Sequence, residues 1–369
     1  MGPALVLPRL IFGEGVVGQL SDELALLGLR RPLLISDRGL EAAGVVATVR
    51  DAAPLIAQVF LDVPENPTAN GADAAFAAYR AGDCDGIVAL GGGSVLDTAK
   101  IVAALAGSGG TAAQTIGRPE RIERVVPLIA IPTTVGTGSE SSPVAALHIE
   151  TGGPAFGTRG PLLVPRVALC DPALARSLPR HLIAATGIDA LSHCIEGFFA
   201  DPPNPVIDAL ALDGAARVMA DIHAALETDG DDARSSLMAA AFAGGAAIHK
   251  GLGPAHAVAL ACGDQDVHHG TLIGIVLPHT TRLLARNLPG KGDKLARAMG
   301  LAAGADIAEA LAALIRSLDL PARLDAIGYH PRDADAIVGA MEASPFNRTS
   351  PYVPTASEYR AIAAEIGLA

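Results

Sequence analysis

The sequence of 369 residues contains no tryptophan, and aromatic residues make up only 3 % of it. Charged residues are also scarce at 18 %, whereas half of the residues are hydrophobic. A chain this apolar can bury a large core, so we do not expect disorder. Its length is more than one ordinary domain needs and suits two. Because aromatic residues are rare and there are 41 glycines, we expect small side chains that let helices and sheets pack closely.

Clusters of basic residues with interleaved aromatics are missing, and the formal net charge is −12. This charge argues against nucleic acid or an anionic membrane as a partner. The longest apolar run, residues 237–248, is too short to span a membrane and contains two glycines. The N-terminus shows no charged segment followed by an apolar stretch and a cleavage site, so we expect a cytoplasmic protein.

Cysteine is equally scarce, with four scattered residues and no CxxC pair. This usage predicts reduced, mostly buried thiols in a cytoplasmic protein. His193 and Cys194 are neighbours in sequence, but adjacent positions of a helix do not face each other, so they do not form a catalytic dyad.

Two kinds of pattern divide the chain. Up to about Arg176, short apolar runs alternate with helix-period segments, which predicts a mostly parallel sheet covered by helices. From about Pro179 onward, helical segments follow one another. We therefore expect an α/β domain over residues 1–176 and an all-helical domain over residues 177–369. The strand candidates are residues 4–12, 32–36, 56–60, 86–90, 127–131, 144–149 and 167–170, and residues 152–160 resemble an exposed loop.

A glycine-rich turn, Gly91-Gly92-Gly93-Ser94, follows the apolar strand 86–90 and precedes a helix-like segment. Glycines there let backbone N–H groups approach a phosphate, and the helix N-terminus adds a favourable dipole. Ser94 can cap the helix and donate to a phosphate oxygen. The alternative is a tight turn that merely needs positive φ; the place between strand and helix favours the phosphate interpretation.

A competing pattern lies nearer the N-terminus. Residues 13–18 (GEGVVG) spell GxGxxG after a strand, and Asp37 lies 19 residues beyond Gly18, close to the dinucleotide-binding spacing. Asp37 ends the apolar strand LLISD, where a carboxylate can bind both hydroxyls of an adenine ribose and repel a 2′-phosphate. Asp37 would bind the ribose whichever of the two glycine-rich loops binds the pyrophosphate. Its carboxylate therefore predicts NAD rather than NADP. The alternative for Asp37 is an ordinary turn residue.

Residues 131–140 (IPTTVGTGSE) form a second small, hydroxyl-rich loop after a strand. Hydroxyl groups of Thr133, Thr134 and Thr137 could hydrogen-bond a carboxamide or ribose while the glycines leave room for a flat ring. Taken alone, this segment is equally consistent with an ordinary Gly/Thr turn.

The chemistry of the second half centres on Asp189 and His193. Their spacing places a carboxylate and an imidazole on the same face of an apolar helix. His256, His268 and His269 follow on other apolar segments. One carboxylate with two or three imidazoles suits a divalent transition metal, either iron(II) or zinc. A Lewis-acidic cation would stabilise the alkoxide from which hydride leaves easily. A single histidine on an apolar face is more often a satisfied core residue, so the prediction depends on the segments converging.

Five ordered motifs together resemble the iron-containing, or group III, alcohol dehydrogenases: ALGGGSVLDTAK (89–100), IPTTVGTGSE (131–140), GIDALSHCIEG (187–197), KGLGPAHAVAL (250–260) and HHGTLIGIVLP (268–278). The resemblance implies a dehydroquinate-synthase-like fold, with an α/β nucleotide-binding domain, an all-helical metal-binding domain and a cleft between them. It also implies interconversion of small alcohols, diols or hydroxy acids with their carbonyl forms, using NAD and a divalent metal, iron(II) before zinc. A homo-oligomer, at least a dimer, is implied as well.

By this resemblance, the metal ligands are Asp189, His193, His256 and His269, and these are also the catalytic residues. The pyrophosphate contacts are Gly91, Gly92, Gly93 and Ser94, with Asp97 and Lys100 in the same motif. Asp37 selects the ribose, Thr133, Thr134 and Thr137 lie near the nicotinamide, and residues 13–18 serve only the entry into the first helix.

Two departures from the family pattern concern the metal-binding segments. Many members carry a further histidine four residues after the third ligand, where this chain has Leu260. The interval from His256 to His269 is also one residue shorter than in many members, which keeps His268 as an alternative last ligand.

Rival functions are a metal-independent reductase of the maleylacetate reductase type, a relative of dehydroquinate synthase or glycerol dehydrogenase, and an inactive nucleotide-binding protein. The complete Asp/His set and the missing basic cluster favour the metal-dependent dehydrogenase.

Overall fold

The computed structural model describes residues 4–227, 230–265, 267–331 and 333–368. The chain divides into two compact units. The sheet unit comprises Val6–Leu178, and the helical unit begins at Pro179 and takes in the rest of the described chain, with residues 4 and 5.

The sheet unit contains a six-stranded parallel sheet in the order β1-β8-β5-β4-β2-β3 and a two-stranded antiparallel ribbon, β6-β7. Helices flank the sheet, as parallel strands require for their crossover connections. The strands are β1 (Arg9–Phe12), β2 (Pro32–Ile35), β3 (Gln58–Phe60), β4 (Gly86–Gly91), β5 (Leu128–Pro132), β6 (Val144–His148), β7 (Ala155–Arg159) and β8 (Val167–Cys170). The helices are α1 (Leu20–Leu26), α2 (Arg38–Ala42), α3 (Val45–Ala52), α4 (Ala69–Ala81), α5 (Gly93–Ser108) and α6 (Ala112–Thr115).

The two faces of the sheet carry separate hydrophobic cores. On β4, Val88 and Leu90 belong to the core shared with α1 and α3, whereas Ile87 and Ala89 belong to the core shared with α4 and α5. Successive side chains of a strand point to opposite faces, so a continuous apolar run marks a strand buried on both sides.

The strand order reverses between β2 and β4. The chain leaving β2 passes through α3 on one face of the sheet, whereas the chain leaving β4 passes through α5 on the other. Such a switch point opens a crevice at the carboxyl ends of the two strands. Here the strand ends are joined by the Ser36 hydroxyl, which donates to the Leu90 carbonyl oxygen at 2.8 Å.

The helical unit contains no β-strand among its described residues. Its helices are α7 (Arg180–Phe199), α8 (Pro205–Ala225), α9 (Asp231–Ala247), α10 (Pro254–Ala261), α11 (His269–Asn287), α12 (Pro289–Ala298), α13 (Ile307–Ser317), α14 (Ala334–Ala343) and α15 (Ala356–Glu365). Some of them start with a side-chain cap: Asn204 caps α8 before Pro205, and Asp306 caps α13.

Glycines let the central helices approach closely. A Cβ on Gly214 of α8 would lie 2.5 Å from the Cys194 sulfur of α7, and one on Gly197 of α7 would lie 2.5 Å from the Ala247 Cβ of α9. The expectation of close packing by small residues is therefore confirmed.

One described helix, α7, is long and apolar enough to cross a membrane, but 94 % of its most apolar window is buried inside the protein. It is therefore a core helix.

The α/β-plus-helical fold class predicted from the sequence is confirmed, and the main corrections are local. Residues 152–160 were expected to form a loop, yet β7 lies there and pairs with β6. The glycines in this segment hide the strand pattern, and pairing with β6 supplies the ordering.

Candidate metal and cofactor sites

Helix α7 places two of the predicted metal ligands. Asp189 and His193 lie one turn apart and are 8 % and 5 % exposed. The His193 Nε2 lies 3.7 Å from the Asp189 Oδ1. Gly244 of α9 makes room at this level of the helix, because a Cβ there would lie 3.0 Å from the His193 Cβ.

His256 reaches the same place from α10. Its ring stacks on that of His193, with centroids 5.0 Å apart. Helix α10 was not predicted as a helix, because the Gly251–Gly253 segment before it resembles a turn and the helix is only eight residues long. Pro254 occupies its first turn, where a missing N–H costs nothing.

His269 is the first residue of α11, and its Nε2 lies 3.7 Å from the Asp189 Oδ1. The next residue explains how α11 comes so near to α7. A Cβ on Gly270 would lie 2.4 Å from the Ala185 carbonyl oxygen. Only glycine permits this approach, one turn before Asp189. His268 is the N-cap residue of α11 and is exposed.

Asp189, His256 and His269 each offer a ligand atom, and these atoms all lie within 4.8 Å of one another. His193 is outside this set of three but adjoins it through Asp189 and His256. The predicted ligands thus come together from three helices.

The chemistry of these donors fits a divalent cation. The Asp189 Oδ1 and the His256 Nε2 are buried and have no hydrogen-bond partner among the described residues. An unpartnered buried carboxylate and imidazole nitrogen are costly unless something else coordinates them. A mixed set of imidazole nitrogens and one carboxylate is typical of iron or zinc sites.

Burial makes a charge costly at both Asp189 and His269. It raises the pKa of Asp189 to about 7, and the neighbouring His256 opposes that rise. Desolvation, followed by His256 and His268, lowers the pKa of His269, although half of its side chain is solvent-accessible. The imidazole of His269 is therefore neutral, as a metal ligand must be, and a bound cation would offset the cost of ionising Asp189.

Sequence reasoning gave Glu196 no role, although it lies within a quoted motif. Glu196 follows His193 by three positions on α7, and its Oε2 lies 2.6 Å from the His256 Nδ1. The signal in the sequence was the spacing, since positions 189, 193 and 196 share one helix face.

In the sheet unit, the glycine-rich turn is placed at the crevice. Gly91 ends β4, Gly92 is the N-cap of α5, and α5 begins at Gly93. No side chain of the described residues caps this helix, so its first backbone N–H groups are available to an anion. Ser94 was expected to cap the helix. Instead it lies within the first turn and donates its hydroxyl to the Glu65 carbonyl oxygen, because the cap position falls two residues earlier.

The threonine loop packs directly against this turn. A Cβ on Gly92 would lie 3.0 Å from the Thr134 Cγ2, and one on Gly93 would lie 2.7 Å from the Thr137 Oγ1. Thr133 anchors the loop, because its N–H donates to the Gly91 carbonyl oxygen at 3.1 Å. The glycines are therefore required for the contact between the two loops.

Asp37 lies at the carboxyl end of β2, next to β4 in the sheet. Its Oδ1 accepts the Leu40 N–H at 2.9 Å and caps α2. Its Oδ2 makes no hydrogen bond to the described residues. The side chain therefore serves as a turn residue and still offers one oxygen at the edge of the crevice.

Asp97 and Lys100 face into the sheet unit. Asp97 accepts the Ser139 hydroxyl at 2.5 Å and the Ala146 N–H at 2.8 Å. The fully buried Lys100 donates to the carbonyl oxygens of Ser142 and Val144. Both residues tie α5 to the chain that follows β5.

The competing glycine pattern at residues 13–18 binds a carboxylate of the same chain, that of Asp171. The N–H groups of Gly15 and Val17 both donate to the carboxylate of Asp171, at 3.1 Å each. These amides are therefore engaged within the protein, which leaves the turn after β4 as the phosphate-binding candidate.

Glu140, directly after the threonine loop, is fully buried, and neither of its carboxylate oxygens has a hydrogen-bond partner among the described residues. Burial raises its pKa to about 7, although Lys100 opposes the rise.

Comparison with known families gives two matches that together cover most of the chain. Residues 8–172 match the model of the iron-containing alcohol dehydrogenases. Residues 183–364 match the C-terminal model of the Fe-containing alcohol dehydrogenase family.

Individual proteins agree with these models. A 4-hydroxybutyrate dehydrogenase from Cupriavidus necator is 40 % identical over 362 residues, which is 94 % of each chain. The crystal structure of a sulfoacetaldehyde reductase from Bifidobacterium kashiwanohense in complex with NAD+ matches with a TM-score of 0.89 and 25 % identity, covering 99 % of each chain. An alcohol dehydrogenase from Oenococcus oeni matches with a TM-score of 0.93 and 26 % identity, covering 99 % of this chain and all of the other.

Proposed function

This chain belongs to the iron-containing alcohol dehydrogenase family, and we propose that it interconverts a small hydroxy acid, diol or simple alcohol with the matching carbonyl compound. The activity is that of an NAD-linked, metal-dependent alcohol oxidoreductase. Among these substrates, short ω-hydroxy carboxylates are the first choice, because the relative that is 40 % identical is a 4-hydroxybutyrate dehydrogenase.

The observation that carries the proposal is the convergence of Asp189, His256 and His269, two of whose donor atoms are buried without a hydrogen-bond partner among the described residues. These residues, with His193 beside them, would hold the divalent cation, iron(II) in preference to zinc. When bound, such a cation acts as a Lewis acid toward the alcohol oxygen. The protein contributes a rigid donor set, since the rings of His193 and His256 are buried and stacked.

Cofactor binding follows from the sheet unit. The N-terminal N–H groups of α5 bind the pyrophosphate, and Gly91, Gly92 and Gly93 let it approach. Asp37 receives a ribose hydroxyl on its Oδ2 and repels a 2′-phosphate, which favours NAD over NADP.

The remaining predicted residues support the nicotinamide region. Thr133 anchors the loop that presents Thr134 and Thr137. The Oγ1 of Thr134 is buried without a hydrogen-bond partner among the described residues, which suits a contact with the cofactor. We assign positioning roles to Ser94 and Asp97, because their side-chain oxygens are engaged within the protein.

The proton of the substrate hydroxyl must be exchanged with solvent. The position four residues after His256, where many family members carry a histidine, is the aliphatic Leu260 here, so another group must carry this proton. We assign this exchange to His268, which is exposed beside His269.

The decisive experiment replaces Asp189 by alanine. We expect loss of tight iron(II) or zinc binding and of turnover with 4-hydroxybutyrate, 1,3-propanediol or ethanol. NAD affinity should change less than about twofold, because the cofactor residues lie in the other unit. Asp213→Ala is the control, since Asp213 pairs with Arg217 on the exposed surface of α8, where such pairs contribute little. Full turnover of the metal-free Asp189→Ala enzyme would contradict the proposal.

Three wider properties complete it. We propose a cytoplasmic enzyme with domains at residues 1–176 and 177–369, and at least a homodimer. The support for self-association is that β1 lies at the edge of the sheet with Leu10 and Phe12 exposed, a feature that single-chain proteins usually cover.

A further inference from the structure

The buried carboxylate of Glu196 has an unusual set of partners. The residue is 2 % exposed, and burying a charge is costly unless it is paired and hydrogen-bonded. Among the described residues, its polar partners are the ring of His256 and the N–H groups of Ala255 and His256. No lysine or arginine of the described chain forms an ion pair with it.

The contact geometry is close and specific. The Oε1 accepts the Ala255 N–H at 2.6 Å, and the Oε2 lies 2.6 Å from the His256 Nδ1. A Cβ on residue 253 would lie 2.9 Å from the Oε1, so glycine at that position admits the carboxylate. Glu196 thereby satisfies the start of α10, where Gly253 offers no side-chain cap.

The hydrogen bond also determines where the His256 proton lies. An ionised carboxylate can only accept a hydrogen bond, so a neutral His256 that faces one carries its hydrogen on the Nδ1 and keeps the lone pair on the Nε2. In the described part of the chain, that Nε2 is buried without a hydrogen-bond partner and lies in the group with Asp189 and His269.

We infer that Glu196 is a positioning residue of the metal centre, whose carboxylate holds His256 with its Nδ1 protonated and its Nε2 directed at the cation. This inference rests on the proposed metal-dependent function. The hydrogen bond also makes the imidazole a stronger donor. The two buried carboxylates, of Asp189 and Glu196, together match the charge of one divalent ion.

The test measures metal binding to the full chain rather than turnover. In Glu196→Gln, the amide can accept from Ala255 while its NH₂ group donates to the His256 Nδ1, which moves the ring proton to the Nε2. We expect zinc(II) and cobalt(II) affinity, measured by competition with a chelator, to fall about 10–100-fold. The visible spectrum of the cobalt(II) form should change as well. Wild-type affinity with an unchanged spectrum would overturn the inference.

A matched control separates this role from helix capping. Asp306 caps α13 by accepting the N–H groups of Ala308 and Glu309, so Asp306→Asn makes the same substitution at a cap outside the metal group. It should leave metal affinity unchanged. If Glu196→Gln fails to fold, Glu196→Asp keeps the carboxylate and should retain more affinity than Glu196→Ala.

The protonation of His256 can also be measured directly in the wild-type chain, which does not depend on whether a Glu196 variant folds. Nitrogen-15 NMR of the histidine-labelled, metal-free wild-type chain should show His256 protonated at its Nδ1, and protonation at the Nε2 would refute the inference. The outcomes also separate the two proposals. If Asp189→Ala binds zinc like the wild type, the metal site itself is wrong. If Asp189→Ala weakens binding but Glu196→Gln does not, only the role of Glu196 is wrong.

Discussion

Replacing Glu140 by glutamine should stabilise the sheet unit at alkaline pH and change little at acidic pH. Burial raises the pKa of this carboxyl group from 4.5 to about 7. Between these two values the folded chain binds a proton that the unfolded chain has lost, so stability falls as the pH rises through this window. Above pH 7, the folded protein carries the full free-energy cost of the buried charge.

The magnitude follows from the size of the shift. One pKa unit corresponds to about 1.4 kcal/mol, so a rise from 4.5 to about 7 makes folding less favourable by about 3 kcal/mol above pH 7. Glutamine resembles the neutral carboxylic acid and avoids this cost. This gain is an upper limit. The substitution also removes the attraction between Glu140 and the buried Lys100, which favours the charged form of the lysine.

The assay is calorimetric unfolding of the metal-loaded protein at pH 8 and at pH 5. At about 2–4 °C per kcal/mol for a unit of this size, the melting temperature of the sheet unit should rise by up to about 10 °C at pH 8. At pH 5, close to the unfolded pKa, the rise should be much smaller. Glu23→Gln is the control, because Glu23 is also buried but pairs with Arg9 at 3.0 Å, so its loss should not stabilise the protein. An equal effect of Glu140→Gln at both pH values would refute the reasoning.

Three further substitutions test the two units. Gly93→Ala places a Cβ 2.7 Å from the Thr137 Oγ1 and should raise the KM for NAD about tenfold without changing zinc affinity; an unchanged KM would show that the loops yield. Gly214→Ala forces α8 away from α7 and should destabilise the helical unit by about 1–3 kcal/mol in thermal unfolding, whereas Gly290→Ala, with nothing within 4 Å, should not. Asp37→Ser should raise the ratio of kcat/KM for NADP over NAD at least tenfold, and a constant ratio would remove Asp37 from cofactor selection.

The sequence predicts the sheet unit well because its signals are local. Each parallel strand is buried on both faces and appears as an apolar run, and the glycine-rich turn stands at a strand end. Asp37 and Gly91 could therefore be placed at the same edge of the sheet before the strand order was known. In the helical unit, the spacing of Asp189 and His193 predicts that they share a face, since this depends on helix geometry alone.

Contacts between distant segments could not be predicted in the same way. Nothing near residues 13–18 indicates that the Asp171 carboxylate occupies the amides of that turn, because the partner lies at the far end of the sheet unit's sequence. Likewise, β7 becomes a strand only by pairing with β6, and α10 is too short for its periodicity to be recognised.

The choice between His268 and His269 also depended on packing. It is Gly270, pressed against the Ala185 carbonyl oxygen, that brings His269 rather than His268 to Asp189.

The donors of the metal group come from α7, which lies far upstream in the chain, and from the neighbouring helices α10 and α11. A cation shared among them would act as a removable cross-link, comparable to a disulfide that closes one long loop. The same ion would therefore support both catalysis and the stability of the fold. Without metal, the protein would be inactive and also more sensitive to proteolysis.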